Sequence, residues 1–94
     1  MDTYIKVYDW MAEFPTDERM VYALIYQLTI GSNGFWSTTK VMADRLGIKK
    51  SVCKAALQHL EQIGAIESFR QTIQRKERRV FLANEQFAES LRDD

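Results

Sequence analysis

The sequence predicts a single domain of mainly α structure with a small β-hairpin, an α+β fold, on three observations. Three segments carry apolar residues at helical spacing, and capping residues or glycines bound them. Two short β-favouring segments follow, between Gly64 and Asn84. At 94 residues, with 46% hydrophobic and 28% charged side chains, the chain can bury one core but not two.

Taken in order, residues 4–8 alternate Tyr4, Ile5, Val7 and Tyr8 with Lys6, which predicts a short N-terminal strand or extended arm before Pro15 breaks the chain. Thr16 is the expected N-cap of a first helix, with Asp17 and Glu18 complementing its dipole. Met20, Val21, Leu24, Ile25 and Leu28 give that helix one inward stripe. Gly31, Ser32, Asn33 and Gly34 read as its terminating turn, and Phe35 with Trp36 as a stub of strand.

Thr38 caps a second helix over 39–46, with Met42, Ala43 and Leu46 inward. It ends at Gly47, which can take the left-handed backbone that a sharp turn demands. A third helix over 50–63 places Cys53, Ala56, Leu57, Leu60 and Ile63 on one stripe, and Ser51, Lys54, Ala55, Gln58 and Gln62 on the other. Gly64 stops it. Residues 65–69 and 79–82 are β-favouring, and the polar stretch 70–78 between them, lacking Pro and Gly, reads as a long basic loop. Asn84 caps a last helix that docks through Phe87, Ala88 and Leu91.

The formal net charge of zero conceals a segregation. Residues 1–39 hold five acids against two bases, a net of −3, and residues 83–94 hold four against one, also −3. Between them, residues 40–82 hold ten bases against four acids, a net of +6. Such asymmetry suggests a surface that faces a polyanion. The same composition argues against other classes. A lone Cys53 permits no internal disulfide and, with a lone His59, no ordinary zinc site. Cys53 falls on the inward stripe and reads as a small core hydrophobe. No nucleophile has a visible base partner and there is no glycine-rich phosphate loop, so no enzyme, cofactor or metal is expected. No apolar run approaches a membrane span, and a cytoplasmic protein is expected.

Thr38, Met42-Ala43, Leu46-Gly47-Ile48, Leu57 with Leu60, and Gly64-Ala65-Ile66 follow one another at a characteristic spacing. In this wording the stretch 38–66 resembles the winged helix-turn-helix family, whose helix-turn-helix falls here at about 38–63 and whose wing at about 65–82. Tyr4-Ile5-Lys6-Val7, the run Val21-Tyr22-Ala23-Leu24-Ile25-Tyr26 and Phe35 are similar to the N-terminal domains of phage and plasmid replication initiators. The resemblance implies binding of double-stranded DNA in replication initiation or transcription regulation, in a prokaryote or phage. A recognition helix would enter the major groove with Lys49, Lys50, Ser51, Lys54 and Gln58, Lys40 would touch backbone, and Arg75, Lys76, Arg78 and Arg79 would form a basic wing. Two positions depart from the family: Lys49 stands where a Ser or Thr cap is usual, and Ala55 where an Arg often reaches DNA. The alternative is a winged helix used only for contacts with a replication or transcription protein. A homodimer is a further expectation, since the N-terminal strand and the Phe87/Leu91 helix need burial.

Overall fold

Helix α1 (Thr16–Thr29) lies at the centre of an α+β fold that has, among the described residues, four α-helices and one three-stranded antiparallel sheet. The computed structural model describes residues 5–30 and 34–92, so Tyr4 and the expected turn residues Gly31, Ser32 and Asn33 lie outside the described residues. All six positions from 21 to 26 of α1 are buried, not one stripe alone. A helix that is covered all round needs neighbours on every side. Here the second and third helices, the sheet and the N-terminal segment supply them. Helix α1 begins at Thr16 itself, and no side chain caps it. The Arg19 N–H bonds the Pro15 carbonyl at 2.8 Å, which draws Thr16 into the first turn instead of leaving it at the cap.

The N-terminal strand does not form among the described residues. Residues 5–8 are unpaired, and Asp9–Glu13 is a 3-10 helix. Aromatic packing on α1 outweighs the β-favouring alternation: Trp10 stands edge-on to Tyr22 and Tyr26, with centroids at 6.0 and 5.2 Å, and Tyr8 is edge-on to Tyr26 at 5.9 Å. The Lys6 N–H donates to Gln27 Oε1 at 2.7 Å, a bond a strand would have spent on a ladder. Burial of Tyr22 pushes its phenol well above the usual range.

The stub strand β1 (Phe35–Trp36) is followed by α2 (Thr39–Leu46), and Thr38 caps it as expected, its hydroxyl accepting from the Val41 N–H at 3.1 Å. Gly47 takes the left-handed conformation (φ 70°) and the chain enters α3 (Lys50–Gln62) after three residues. Cys53, Ala56, Leu57 and Leu60 face the core, and burial pushes the Cys53 thiol up from its ordinary range. Ile63 departs from the expected stripe: it is the C-cap residue, its N–H still bonded to the His59 carbonyl at 3.0 Å, but its side chain is 40% exposed.

The basic loop expected at 70–78 is instead paired strand. β2 (Ile66–Ile73) and β3 (Lys76–Ala83) form one continuous ladder from Ile66↔Ala83 to Ile73↔Lys76. Only Gln74 and Arg75 connect them, with φ of 54° and 66°. Positive φ at both central residues gives a two-residue turn whose twist matches the strands. The polar stretch can pair because its side chains stand to either side of a ribbon that projects into solvent. In the sheet β3 lies between β1 and β2. Gly34, φ 128°, lies against that sheet so closely that a Cβ would meet Val80 Cγ1 at 2.5 Å.

The Thr29 hydroxyl donates to the Ile25 carbonyl (2.7 Å) and accepts from the Ala83 N–H (3.0 Å), fastening α1 to β3. Asn84 then caps α4 (Glu85–Arg92) through the Phe87 N–H at 3.0 Å. Ala88 is buried, and Phe87 and Leu91 pack on the core, with Phe87 stacked 6.1 Å from Phe14. Phe87 and Leu91 are thus partly buried within the chain. No helix among the described residues is long and apolar enough to cross a membrane.

Candidate nucleic-acid interface

The 3.6-residue period of α3 sorts its side chains once the core face is fixed by Cys53, Ala56, Leu57 and Leu60. Ser51, Ala55, Gln58 and Gln62 point away from the core, and all four are exposed. Lys50 and Lys54 flank them on one side. On the other side Val52 and His59 meet the start of α1, where His59 Nδ1 contacts Glu18 Oε1. Lys49 occupies the N-cap with no side-chain cap bond, so the sequence-level departure there is structural fact. Among the described residues, Lys49, Lys50 and Lys54 have no acidic partner, and the first turn of α3 contains no acid.

That arrangement is electrostatically unfavourable in isolation. Cations at a helix N-terminus oppose the positive end of the dipole by about 0.3–1 kcal/mol each. An anion beside them reverses the sign, since both the lysines and the unbonded first-turn N–H groups would then face it.

The hairpin arginines and lysine, expected to act as one basic group, are divided by the ladder. Phe81 and Ala83 are buried, so the β3 positions in phase with them, Glu77 and Arg79, share the core-side face with their partners Arg70 and Thr72. Lys76 and Arg78 stand on the opposite face with Val80, and Arg75 is at the tip. On the core side Arg79 reaches Glu61 near the end of α3 and stacks over the Phe81 ring at 4.9 Å. Arg70 pairs across the strands with Glu77 at 3.0 Å. On the outer side Arg78 lies over the Trp36 ring at 4.2 Å.

Of the expected contacts, the structure therefore gathers Lys49, Lys50, Ser51, Lys54 and Gln58 on one helix end and face. Arg79 joins them through Glu61. Arg75 and Lys76 stand at the far end of the hairpin, and Arg78 faces the other way. Lys40, in the first turn of α2, pairs with Asp44 at 3.0 Å while remaining exposed. Sequence reasoning missed Arg70 and Glu61 as members of the basic face. The alternation of Arg70 with its pairing partner was hidden by reading the stretch as a loop, and Glu61 with Arg79 are brought together only by the tertiary fold.

The chain matches no family model, and no curated protein matches its sequence.

Proposed function

We propose that the chain is a winged helix-turn-helix domain that binds double-stranded DNA, with α3 in the major groove and the β2–β3 hairpin as its wing. The observation that carries this reading is the set of exposed cations, Lys49, Lys50 and Lys54, that have no acidic partner among the described residues and stand around the amino end of α3. The order of elements supports it too: two helices joined by a three-residue turn, then a hairpin whose inner strand also holds β1. An α-helix with side chains, ~10–12 Å across, fits a major groove about 12 Å wide.

In that pose Lys50 and Lys54 donate to guanine acceptors or phosphates, and Gln58 offers its amide to an adenine edge. Ser51 serves either. Ala55, outward and exposed, contributes only a methyl group to the middle of the contact. Phosphate contacts therefore dominate over base readout, and sequence preference follows from DNA shape as much as from base edges. The role this suits is that of a phage or plasmid replication initiator or a transcription regulator.

Equilibrium binding to random duplex DNA tests the proposal. The double variant Lys50→Ala/Lys54→Ala is expected to keep the wild-type circular dichroism spectrum and lose duplex affinity. Wild-type affinity in that variant removes α3 from the interface. No duplex binding at low salt, combined with capture of a single replication or transcription protein, favours the protein-contact alternative.

A further inference from the structure

We propose a second nucleic-acid site, for an unpaired strand, centred on Trp36 and separate from α3. The indole of Trp36 is 41% exposed, in a position where an apolar ring serves no core. With Ser37 and Thr38 it lines two neighbouring clefts. One, about 270 Å³, is mostly apolar and lined also by Phe35, Val41, Met42 and Arg45. The other, about 210 Å³, is polar and runs from the start of α2 to the edge of β3, lined by Thr39, Arg78 and Arg79. Glu77 also lines it, with its carboxylate engaged by Arg70 at 3.0 Å.

Arg78 points to the occupant. Its guanidinium lies over one face of the indole at 4.2 Å, and its Nε is buried with no hydrogen-bond acceptor. A buried donor left without an acceptor is costly, by roughly 1–3 kcal/mol. An occupant with a planar apolar group and an anionic group beside it answers each part of this arrangement. The planar group enters the apolar cleft against Trp36, and the anion takes Arg78. A nucleotide has that composition, and an unpaired strand presents base faces that a duplex keeps stacked. Charge excludes a second copy of this face as the occupant, because Arg78 and Lys76 would then oppose Arg78 and Lys76. Lys76, two residues along on the same face of β3, continues the cationic track for the next phosphate.

This inference extends the duplex reading and uses none of its α3 residues. Titration of the full chain with a labelled oligo-dT of twelve nucleotides, alongside thymidine monophosphate and a random duplex, tests it. Saturable oligo-dT binding with quenching of tryptophan fluorescence is expected. Trp36→Ala should weaken it roughly tenfold or more, since stacking on one aromatic ring is worth that much. Should Trp36→Ala fail to fold, Val41→Asp, at a side chain 55% exposed, blocks the same cleft and should give the same loss. Lys50→Ala/Lys54→Ala should leave oligo-dT affinity unchanged while weakening duplex binding. Oligo-dT affinity unaffected by Trp36→Ala and Val41→Asp overturns the site. Monophosphate binding as tightly as the oligomer assigns it to a free nucleotide and overturns the strand. Loss of oligo-dT binding in the α3 variant merges the two surfaces and overturns their separateness.

Discussion

Helix α3 with its N-cap carries three cations and the β2–β3 hairpin five, and the two regions treat most of them in opposite ways. Along the helix, Lys49, Lys50 and Lys54 stand exposed with no carboxylate partner among the described residues. Along the hairpin, Arg79 is held by Glu61, Arg70 by Glu77 and Arg78 by the Trp36 ring, while Arg75 and Lys76 at the tip have no acidic partner among the described residues. A cation already paired gives up that partner before it can neutralise a phosphate, so the helix supplies net attraction while the hairpin arginines mainly hold their own geometry. Exposed pairs contribute only about 0.2–1 kcal/mol each, so the hairpin arginines remain exchangeable. The difference lies in how readily each group is released, not in charge.

The largest effect comes from breaking what the two regions share. Leu60→Ala removes a fully buried side chain beneath both, and should cost about 2–5 kcal/mol in urea denaturation. A loss under 1 kcal/mol would mean the core does not run beneath α3. Next comes duplex binding. Lys50→Ala/Lys54→Ala should flatten the log–log salt dependence by about 1.8, two phosphates' worth, whereas Arg70→Ala/Arg79→Ala should flatten it by less than half as much. Equal changes would erase the contrast between helix and hairpin.

A smaller test sets stability against binding at one residue. Lys49→Ser supplies the missing cap of α3 and should raise stability by about 1 kcal/mol in thermal denaturation. The same change should weaken duplex binding, because it removes an unpaired cation. A variant improved in both would show that Lys49 serves neither purpose. The smallest shift is expected at the hairpin tip. Arg75→Gly relieves a left-handed backbone, which costs a non-glycine residue roughly 1–2 kcal/mol, against the added freedom of glycine in the unfolded chain, 0.5–1 kcal/mol by rough measure. A net rise in stability of about 0–1.5 kcal/mol follows, and a fall would show that the Arg75 side chain stabilises the turn.

The parts legible from sequence are those fixed within a few residues. Thr38, Gly47 and Asn84 each act through their own backbone or a neighbour three residues on, so both caps and the turn before α3 could be read directly. The outward face of α3 followed from the same short-range period. The hairpin did not, because Gln74 and Arg75 have none of the usual turn residues and the pairing of Arg70 with Arg79 depends on register. The N-terminal segment was misread for a related reason. Its alternation suits a strand, but the partner that decides its conformation is the aromatic face of α1, more than ten residues away in sequence. Glu61, which makes Arg79 a bound cation, lies 18 residues from it in the chain. Charge could be counted from the sequence, and its availability could not.

The proposed duplex contact rests on the exposed cations at the start of α3, which have no acidic partner among the described residues and would meet DNA through its phosphates. The salt dependence of affinity for a random duplex, measured by fluorescence anisotropy, tests this most directly. With three α3 lysines engaged, log affinity should fall against log salt with a slope of about −2.7 or steeper. A flat dependence, or no binding at low salt, would contradict it.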